Sequence, residues 1–234
     1  DLDFPGVAGL WARLMDRLGY PRFAAAGGDM GSNVVRWLAL DHPDRVLAVH
    51  RSDAVATPDY DPDVLTAEER DWLRGREPWE REEAAYGDMQ STKPQTAAVG
   101  LTDSPAGLAA WIVEKLRSWS DHRADGTSLL DRDAMLTDVT IYWLTGTIGS
   151  SMRMYRAVEH MPEAEFARTI QVPTGYTLFP ADVEAPAPDA WLERTTTDLA
   201  YVSRPDHGGH FAPMEDPELY ARELRDFLRP YRGR

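Results

Sequence analysis

The stretch that decides the fold is residues 24–46, AAAGGDMGSNVVRWLALDHPDRV. An apolar run leads through two glycines to Asp29, and then through Gly31 and Ser32 into a helical pattern that Pro43 ends. Glycine adopts the backbone conformations that a tight strand-to-helix connection requires. The pattern therefore predicts a short buried strand, a sharp turn with a carboxylate at its tip, and a helix.

The segments on either side of this turn continue the alternation of helix and strand. Residues 7–18 have apolar side chains at helical spacing, and Gly19 stands where such a helix would stop. Residues 22–28 and 45–52 are short apolar runs typical of buried strands. This alternation predicts a parallel sheet with covering helices.

The middle of the chain is helical and more highly charged. Thr66 and Glu69 have the spacing of a capping box, which predicts a helix start. Further helical patterns cover residues 104–120 and 129–160. Because ligands bind beyond the carboxyl ends of parallel strands, a helical insertion at this point is interpreted as a lid over an active site.

Strand signals return at residues 172–180 and 198–203, and a last helix is predicted at 217–231. The predicted division of the chain is a first part of the core, a helical lid and a second part of the core, which span residues 1–56, 57–165 and 166–234.

The composition excludes several classes of function. The 234 residues carry a formal net charge of −14, which disfavours nucleic acid and anionic membranes as partners. The absence of cysteine excludes thiol catalysis, disulfides and thiolate metal sites. No apolar run reaches the ~20 residues of a membrane span, and no signal peptide opens the sequence, so a cytoplasmic location is expected.

Asp29 is the candidate nucleophile. A small-x-nucleophile-x-small turn between strand and helix is the nucleophile elbow of the α/β-hydrolases, and its small positions here are filled by Gly27, Gly28, Gly31 and Ser32. The helix N-terminus behind the turn favours a carboxylate. The alternative interpretation is that Asp29 only caps the helix.

The order of residues along the chain supplies candidates for an acid and a base. Asp182 follows a predicted strand, and His210 lies in a glycine-bearing loop after the next one, which is the nucleophile–acid–histidine order of that fold. His207 is a rival base whose simpler interpretation is a surface histidine. A metal pair formed by His207 and His210 is conceivable, but no third ligand is obvious.

Five segments together resemble the α/β-hydrolase-fold epoxide hydrolases of the microsomal type, which include bacterial relatives. They are GGDMGS at 27–32, STKPQTAAVGLTDSPAGLAAWIVEKLRSWSD at 91–121, LTDVTIYWLTGTIGSSMRMY at 136–155, VPTGYTLFPAD at 172–182 and GGHFAPMEDP at 208–217. The resemblance implies an α/β-hydrolase fold with a parallel-type sheet, flanking helices and a helical lid, and an enzyme that needs no cofactor or metal.

The resemblance also implies roles for individual residues. Asp29 matches the family's nucleophile, Asp182 its charge-relay acid and His210 its base, while Tyr86 and Tyr155 match the two lid tyrosines that bind the epoxide oxygen. A neutral phenol suits that task because it donates a hydrogen bond to an oxygen that gains negative charge. As isolated residues, both tyrosines would more often be packing residues. Four tryptophans are expected in the core or the pocket wall: Trp111, Trp119, Trp143 and Trp191.

This chemistry explains an aspartate at the tip of the turn. A serine would open an epoxide to an ether that water does not cleave, whereas a carboxylate opens it to an ester that water hydrolyses. His210, oriented by Asp182, would activate that water, and the product would be a vicinal diol. The aromatic lid predicts a moderately bulky, mostly apolar epoxide as the substrate.

Two departures from the family pattern affect the prediction. Met30 stands where the family usually has tryptophan, although its backbone N–H can still serve an oxyanion hole. The strands and the HGxP loop that precede the elbow in the family have no counterpart in the chain. We expect a fragment of a longer protein; the alternatives are completion by a second chain, as a homodimer or with a complementing N-terminal segment, and a truncated inactive relative.

Two other functions stay open at this point. A catalytically inactive relative would bind a small apolar ligand or a partner chain. A haloalkane dehalogenase also forms an aspartate ester, but it normally has halide-binding donors, often a tryptophan directly after the nucleophile, where this sequence has Met30.

Overall fold

A computed structural model of the chain describes residues 2–54, 60–183 and 185–233. Its centre is a four-stranded parallel sheet in the order β1-β2-β3-β4. The strands are β1 (Phe23–Gly27), β2 (Val46–Arg51), β3 (Thr174–Thr177) and β4 (Leu199–Ser203). Since all four strands run in one direction, the loops that follow them meet at one edge of the sheet.

Two helices precede and follow β1 and form one side of the core. They are α1 (Phe4–Arg17) and α2 (Met30–Asp41). The side chain of Asp3 caps α1 by accepting the backbone N–H of Gly6. Trp37 of α2 is fully buried and contacts Phe4 with ring centroids 5.5 Å apart, so α1 packs on α2 over the sheet.

The segment between β2 and β3 is helical. A 3₁₀ helix at Pro62–Val64 is followed by α3 (Ala67–Glu83), α4 (Ala85–Thr92), α5 (Pro94–Asp103), α6 (Pro105–Ser118), α7 (Arg132–Thr145), α8 (Ile148–Glu159) and α9 (Glu163–Phe166). The capping box predicted at Thr66 and Glu69 is confirmed at the start of α3. A separate apolar cluster that includes Leu108, Val139 and Met152 holds α6, α7 and α8 together.

The remaining helices follow β3 and β4. They are α10 (Asp189–Thr195), α11 (Ala212–Glu215), α12 (Pro217–Leu228) and a final 3₁₀ helix at Arg229–Tyr231. Phe227 of α12 packs on His50 and lies directly over Gly175 of β3. Because Val49 on the other face of β2 belongs to the core formed with α1 and α2, helices cover both faces of the sheet.

The predicted strands and helices are confirmed to within a few residues, with one difference. The single helical pattern predicted at 129–160 forms two helices, because Gly146 ends α7 in the left-handed conformation with φ of 61°. The predicted boundary at residues 56 and 57 lies outside the described residues, and the one at residues 165 and 166 falls within α9.

Candidate active site

The predicted elbow lies at the carboxyl end of β1. Among the described residues, Asp29 is the only non-glycine residue with a positive φ, at φ 50° and ψ −128°. A Cβ atom on Gly27 would lie 2.4 Å from the backbone oxygen of Gly31, so the turn closes only with glycine at this position. The Asp29 side chain makes no capping hydrogen bond within the described residues, so the interpretation as a mere helix cap is wrong.

A second carboxylate supports the elbow from the neighbouring strand. Asp53 lies two residues beyond β2, and its Oδ2 accepts the backbone N–H of Asp29. Its Oδ1 lies 3.8 Å from Nη2 of the fully buried Arg51, whose Nε donates to Ser32 Oγ at 2.7 Å. Burial raises the pKa of Asp53 to about 6, although Arg51 and Ser32 oppose that shift. The elbow is therefore tied to β2 by a buried polar network.

The structure brings the predicted acid, base and nucleophile together. His210 Nδ1 lies 2.8 Å from Asp182 Oδ1, and His210 Nε2 lies 3.9 Å from Asp29 Oδ2. A parallel bridge between Ala181 and Gly209 sets the register one residue before the acid and the base. The two side chains can therefore meet although 27 residues separate them in sequence.

The charge around His210 favours its protonated form. Burial lowers the pKa of His210, but its interactions with Asp182 and then with Asp29 outweigh that effect and raise the pKa to about 10. The protonation of His210 therefore depends on whether Asp29 carries its negative charge.

His207, the rival base, lies in a different environment. Its ring nitrogens lie 2.7 Å from Asp206 Oδ1 and 3.0 Å from Asp216 Oδ2, and 43% of its side chain is exposed. These surface contacts match the simpler interpretation of His207 as a surface histidine. Within the described ranges, no group of three or more histidine, aspartate or glutamate side chains is arranged to hold a metal ion.

The two predicted tyrosines contact each other above the elbow. Tyr86 of α4 and Tyr155 of α8 have ring centroids 6.0 Å apart at an interplanar angle of 80°. Burial, followed by the negative charge of Asp29, raises the pKa of Tyr155, which keeps its phenol neutral. Nζ of Lys115 lies 5.2 Å from the centre of the Tyr86 ring, within the range of a cation–π interaction.

A cavity of about 260 Å³ lies between the helical segment and the carboxyl edge of the sheet. Its polar wall includes four of the predicted site residues, Asp29, Tyr86, Asp182 and His210. Its aromatic wall consists of Trp72, Trp79, Trp119 and Phe179. An aspartate and a histidine–aspartate pair therefore face a space of ligand size with mainly apolar walls.

The predictions for individual side chains next to the site have mixed outcomes. Trp119 lines the cavity and Trp191 is buried in the core, as predicted, whereas Trp143 is exposed and the prediction for it is wrong. Trp111 is partly buried and packs on the apolar cluster that holds α6, α7 and α8 together. Met30 packs partly against the core formed by α1 and α2.

Sequence reasoning did not find Asp53, because nothing in its spacing marks it. Its partners Asp29 and Arg51 lie 24 and two residues away, and only the pairing of β1 with β2 brings all three together. The available signal was its position just after a predicted strand, where parallel sheets place functional residues.

Comparisons with known proteins show which proteins this chain is similar to. A family model described as the alpha/beta hydrolase fold matches residues 4–118. The protein of Stigmatella aurantiaca (strain DW4/3-1) named "Putative epoxide hydrolase" is 38% identical over 229 residues, which cover 97% of this chain and 51% of that protein. Epoxide hydrolase 1 of Sus scrofa is 33% identical, over 95% of this chain and 54% of that protein.

Solved structures of epoxide hydrolases are also similar to this chain. The structure of Aspergillus niger epoxide hydrolase superposes with a TM-score of 0.83 at 30% identity, over 98% of this chain and 58% of that one. Juvenile hormone epoxide hydrolase from Bombyx mori superposes with a TM-score of 0.78 at 30% identity, over 99% of this chain and 55% of that one.

The chain spans about half the length of the curated relatives it matches. The family model over residues 4–118, and the relatives and superposed structures over nearly the whole chain, all indicate the same fold. The prediction from sequence is therefore confirmed: this chain has the α/β-hydrolase fold and is related over nearly its whole length to the epoxide hydrolases of that fold.

Proposed function

We propose that this chain carries the nucleophile, acid and base of an epoxide hydrolase, which converts an epoxide to a vicinal diol through an ester at Asp29. The observation that carries the proposal is the alignment of Asp29 with the His210–Asp182 pair at the wall of one cavity. A carboxylate in the nucleophile position suits an ester intermediate that a histidine base can hydrolyse.

In the first half of the reaction, an oxygen of Asp29 attacks an epoxide carbon and the strained carbon–oxygen bond of the ring breaks. Tyr86 and Tyr155 donate hydrogen bonds to the departing oxygen and supply the proton that it takes up. The raised pKa of Tyr155 keeps a donor in place until charge develops on that oxygen. The result is a hydroxyalkyl ester of Asp29.

Formation of the ester changes the charge around His210. Once Asp29 is esterified, one of the two carboxylates that raise the pKa of His210 has lost its charge, so the pKa falls. His210 then gives up its proton, which restores the tyrosine phenol. The chemistry of the first half therefore prepares the base for the second.

In the second half, His210 takes a proton from water, and the resulting hydroxide attacks the ester carbonyl of Asp29. Asp182 orients the imidazole through Nδ1 at 2.8 Å. The backbone N–H of Met30, at the start of α2, is the proposed oxyanion donor. Collapse of this intermediate releases the diol, which takes its proton from His210, and leaves Asp29 as a carboxylic acid with one oxygen from water. The proton of that acid passes to His210, which restores the Asp29 carboxylate and the protonated imidazole.

The proposed substrate is a mostly apolar epoxide of moderate size. The cavity of about 260 Å³, with four aromatic side chains in its wall, is suited to a substrate with a compact aryl or cyclic skeleton. The helical segment 57–165 is the proposed lid, because it supplies Tyr86, Tyr155 and the three cavity tryptophans. A cytoplasmic location and a homodimer stay predictions.

No helix in the described part of the chain is long and apolar enough to cross a membrane.

The two alternative functions have less support. An inactive binding protein has no need of an acid–base pair held at 2.8 Å beside a carboxylate. A haloalkane dehalogenase would have no use for paired lid tyrosines over the nucleophile.

The direct test is to trap the ester. A His210→Gln variant is incubated with styrene oxide, and its intact mass and peptide masses are measured. We expect an adduct of the epoxide's mass on Asp29, because the ester forms but hydrolyses slowly. A His207→Gln variant is the matched control and should turn over without accumulating adduct. If folded His210→Gln forms no adduct with several aryl and alkyl epoxides, the proposal is wrong.

A further inference from the structure

The loop that carries His210 is held by a carboxylate of the short helix that follows it, α11. Oε2 of Glu215 accepts the backbone N–H of Gly209 at 2.9 Å, and Oε1 accepts the backbone N–H of Phe211 at 2.9 Å. Two backbone N–H groups, one on each side of His210, therefore donate hydrogen bonds to the same carboxylate. Glu215 is half-buried, and that burial raises its pKa although three backbone donors oppose the shift.

The same carboxylate reaches the turn that links α6 to α7. Oε2 of Glu215 also accepts the backbone N–H of Asp121 at 2.9 Å. In the same contact, the N–H of His210 donates to the backbone oxygen of Trp119 at 2.9 Å, and the N–H of Gly208 donates to Asp121 Oδ2 at 2.9 Å. The base loop and the lid turn at residues 119–121 thus share one set of hydrogen bonds.

The backbone of the His210 loop and the backbone of the lid turn approach so closely that no larger residue fits in place of Gly209. A Cβ atom there would lie 2.6 Å from the backbone nitrogen of Asp121 and 2.7 Å from the backbone oxygen of Trp119. A junction this close depends on paired donors and acceptors, because a backbone donor that loses its partner away from water destabilises the fold.

Trp119 in the lid turn also contacts His210 and Tyr86, which act in the two proposed half-reactions. The Trp119 ring lies 5.2 Å from the His210 ring, nearly perpendicular to it, and 5.1 Å from the Tyr86 ring. The element that Glu215 ties to the base loop thus contacts the proposed base and a proposed oxygen donor.

We propose that Glu215 is a positioning residue that, together with Asp121, locks the His210 loop onto the lid turn. It is not one of the described residues that line the cavity, so it acts through the backbone on either side of His210. The inference rests on the proposed function where it concerns ester hydrolysis. Loss of the clamp loosens the contact between His210 and Asp182 and slows the half-reaction that needs the base.

The test compares Glu215→Gln with Glu218→Gln, which makes the same change at an exposed acid three residues further along the chain. The first readout needs no substrate and is an NMR titration of the His210 imidazole. We expect a pKa near 10 in the parent and in Glu218→Gln, and a value lower by at least about one unit in Glu215→Gln, because a weaker contact with Asp182 favours the neutral ring.

The second readout separates the half-reactions with styrene oxide. In Glu215→Gln, we expect the rate of adduct formation to stay within about threefold of the parent and the rate of adduct hydrolysis to fall by about 10- to 100-fold, since a positioned general base contributes ~10²–10⁴. A residue that only stabilises the fold would leave the ratio of these rates unchanged and would change the melting temperature alone.

The outcomes separate the inference from the proposed function. Unchanged His210 titration in folded Glu215→Gln, or an equal fall of both half-reactions, overturns the inference. A parent chain that forms no adduct overturns the proposed function, while the titration still decides the role of Glu215. If Glu215→Gln does not fold, Asp121→Asn decides: a lowered His210 pKa supports the clamp, and an unchanged one overturns it.

Discussion

At the scale of single residues, the unusual features converge on Asp29. It is the one non-glycine residue with positive φ among those the structure describes, and its backbone N–H is accepted by the Asp53 carboxylate. Strained backbone persists only where the surroundings enforce it, and here the tight turn at Gly27 and the buried Asp53–Arg51 pair do so. The carboxylate of Asp29 is thereby presented to His210 and the cavity.

The charge of Asp29 should control the protonation of His210. Asp29→Asn is a neutral mimic of the ester, and we expect it to lower the pKa of His210 from about 10 by at least one unit, since Asp182 alone then stabilises the imidazolium. An NMR titration of the ring measures this directly. An unchanged titration would contradict the proposal that loss of the Asp29 charge lowers the pKa of His210 before the second half-reaction.

The same pKa has a consequence for stability. The folded-state pKa of His210, about 10, lies above the ordinary value of 6.5, so its contribution is fully present below pH 6.5 and is lost as the pH rises through 10. The difference in free energy of unfolding between the parent and His210→Gln should therefore shrink from pH 6.5 to pH 10 in denaturant titrations. A difference that grows over this window would contradict the prediction.

At the scale of elements, most strands and helices could be predicted from local sequence. Helices have apolar side chains at helical spacing, and the buried strands are short apolar runs. The Thr66 capping box and the strand–turn–helix at residues 24–46 are examples whose signals lie within a few residues. The break at Gly146 was not predicted, because an isolated glycine in a helical pattern is tolerated and does not by itself mark the end of a helix.

The elbow gives a sharp prediction about two glycines. Gly27→Ala should destabilise the fold by about 1–3 kcal/mol, because the added Cβ meets the backbone of Gly31. Gly31→Ala is the matched control: a Cβ there has no described atom within 4 Å, and alanine is favoured over glycine in a helix by roughly 0.5–1 kcal/mol. Equal free energies of unfolding for the two variants would contradict this account of the turn.

At the scale of the whole molecule, the site depends on contacts that sequence spacing does not reveal. The acid–base pair follows from a known chain order, so it could be predicted. Asp53 and Glu215 could not, because Glu215 meets Asp121 across 94 residues and Asp53 meets Asp29 across 24. Such partners become visible only when strand register and the lid turn are known.

Helices α3 and α10 are also joined by a partly buried ion pair. Glu69 of α3 is fully buried and accepts Arg194 Nε of α10 at 2.6 Å. We expect Arg194→Met to lower the free energy of unfolding by roughly 3 kcal/mol, because it leaves a buried carboxylate without its cation. Arg204→Met, which removes an exposed pair with Asp189, should cost at most about 1 kcal/mol. Similar losses in denaturant titrations would contradict a structural role for the Glu69 pair.

The central claim is that one oxygen of the diol comes from Asp29 and the other from the epoxide, and that water restores the Asp29 carboxylate. A single turnover of excess protein with styrene oxide in ¹⁸O-labelled water tests it, followed by mass analysis of the diol and of the Asp29 peptide. The account predicts an unlabelled diol and one ¹⁸O atom on Asp29. Label in the diol of the first turnover, with none on Asp29, would show direct attack by water and contradict the ester mechanism.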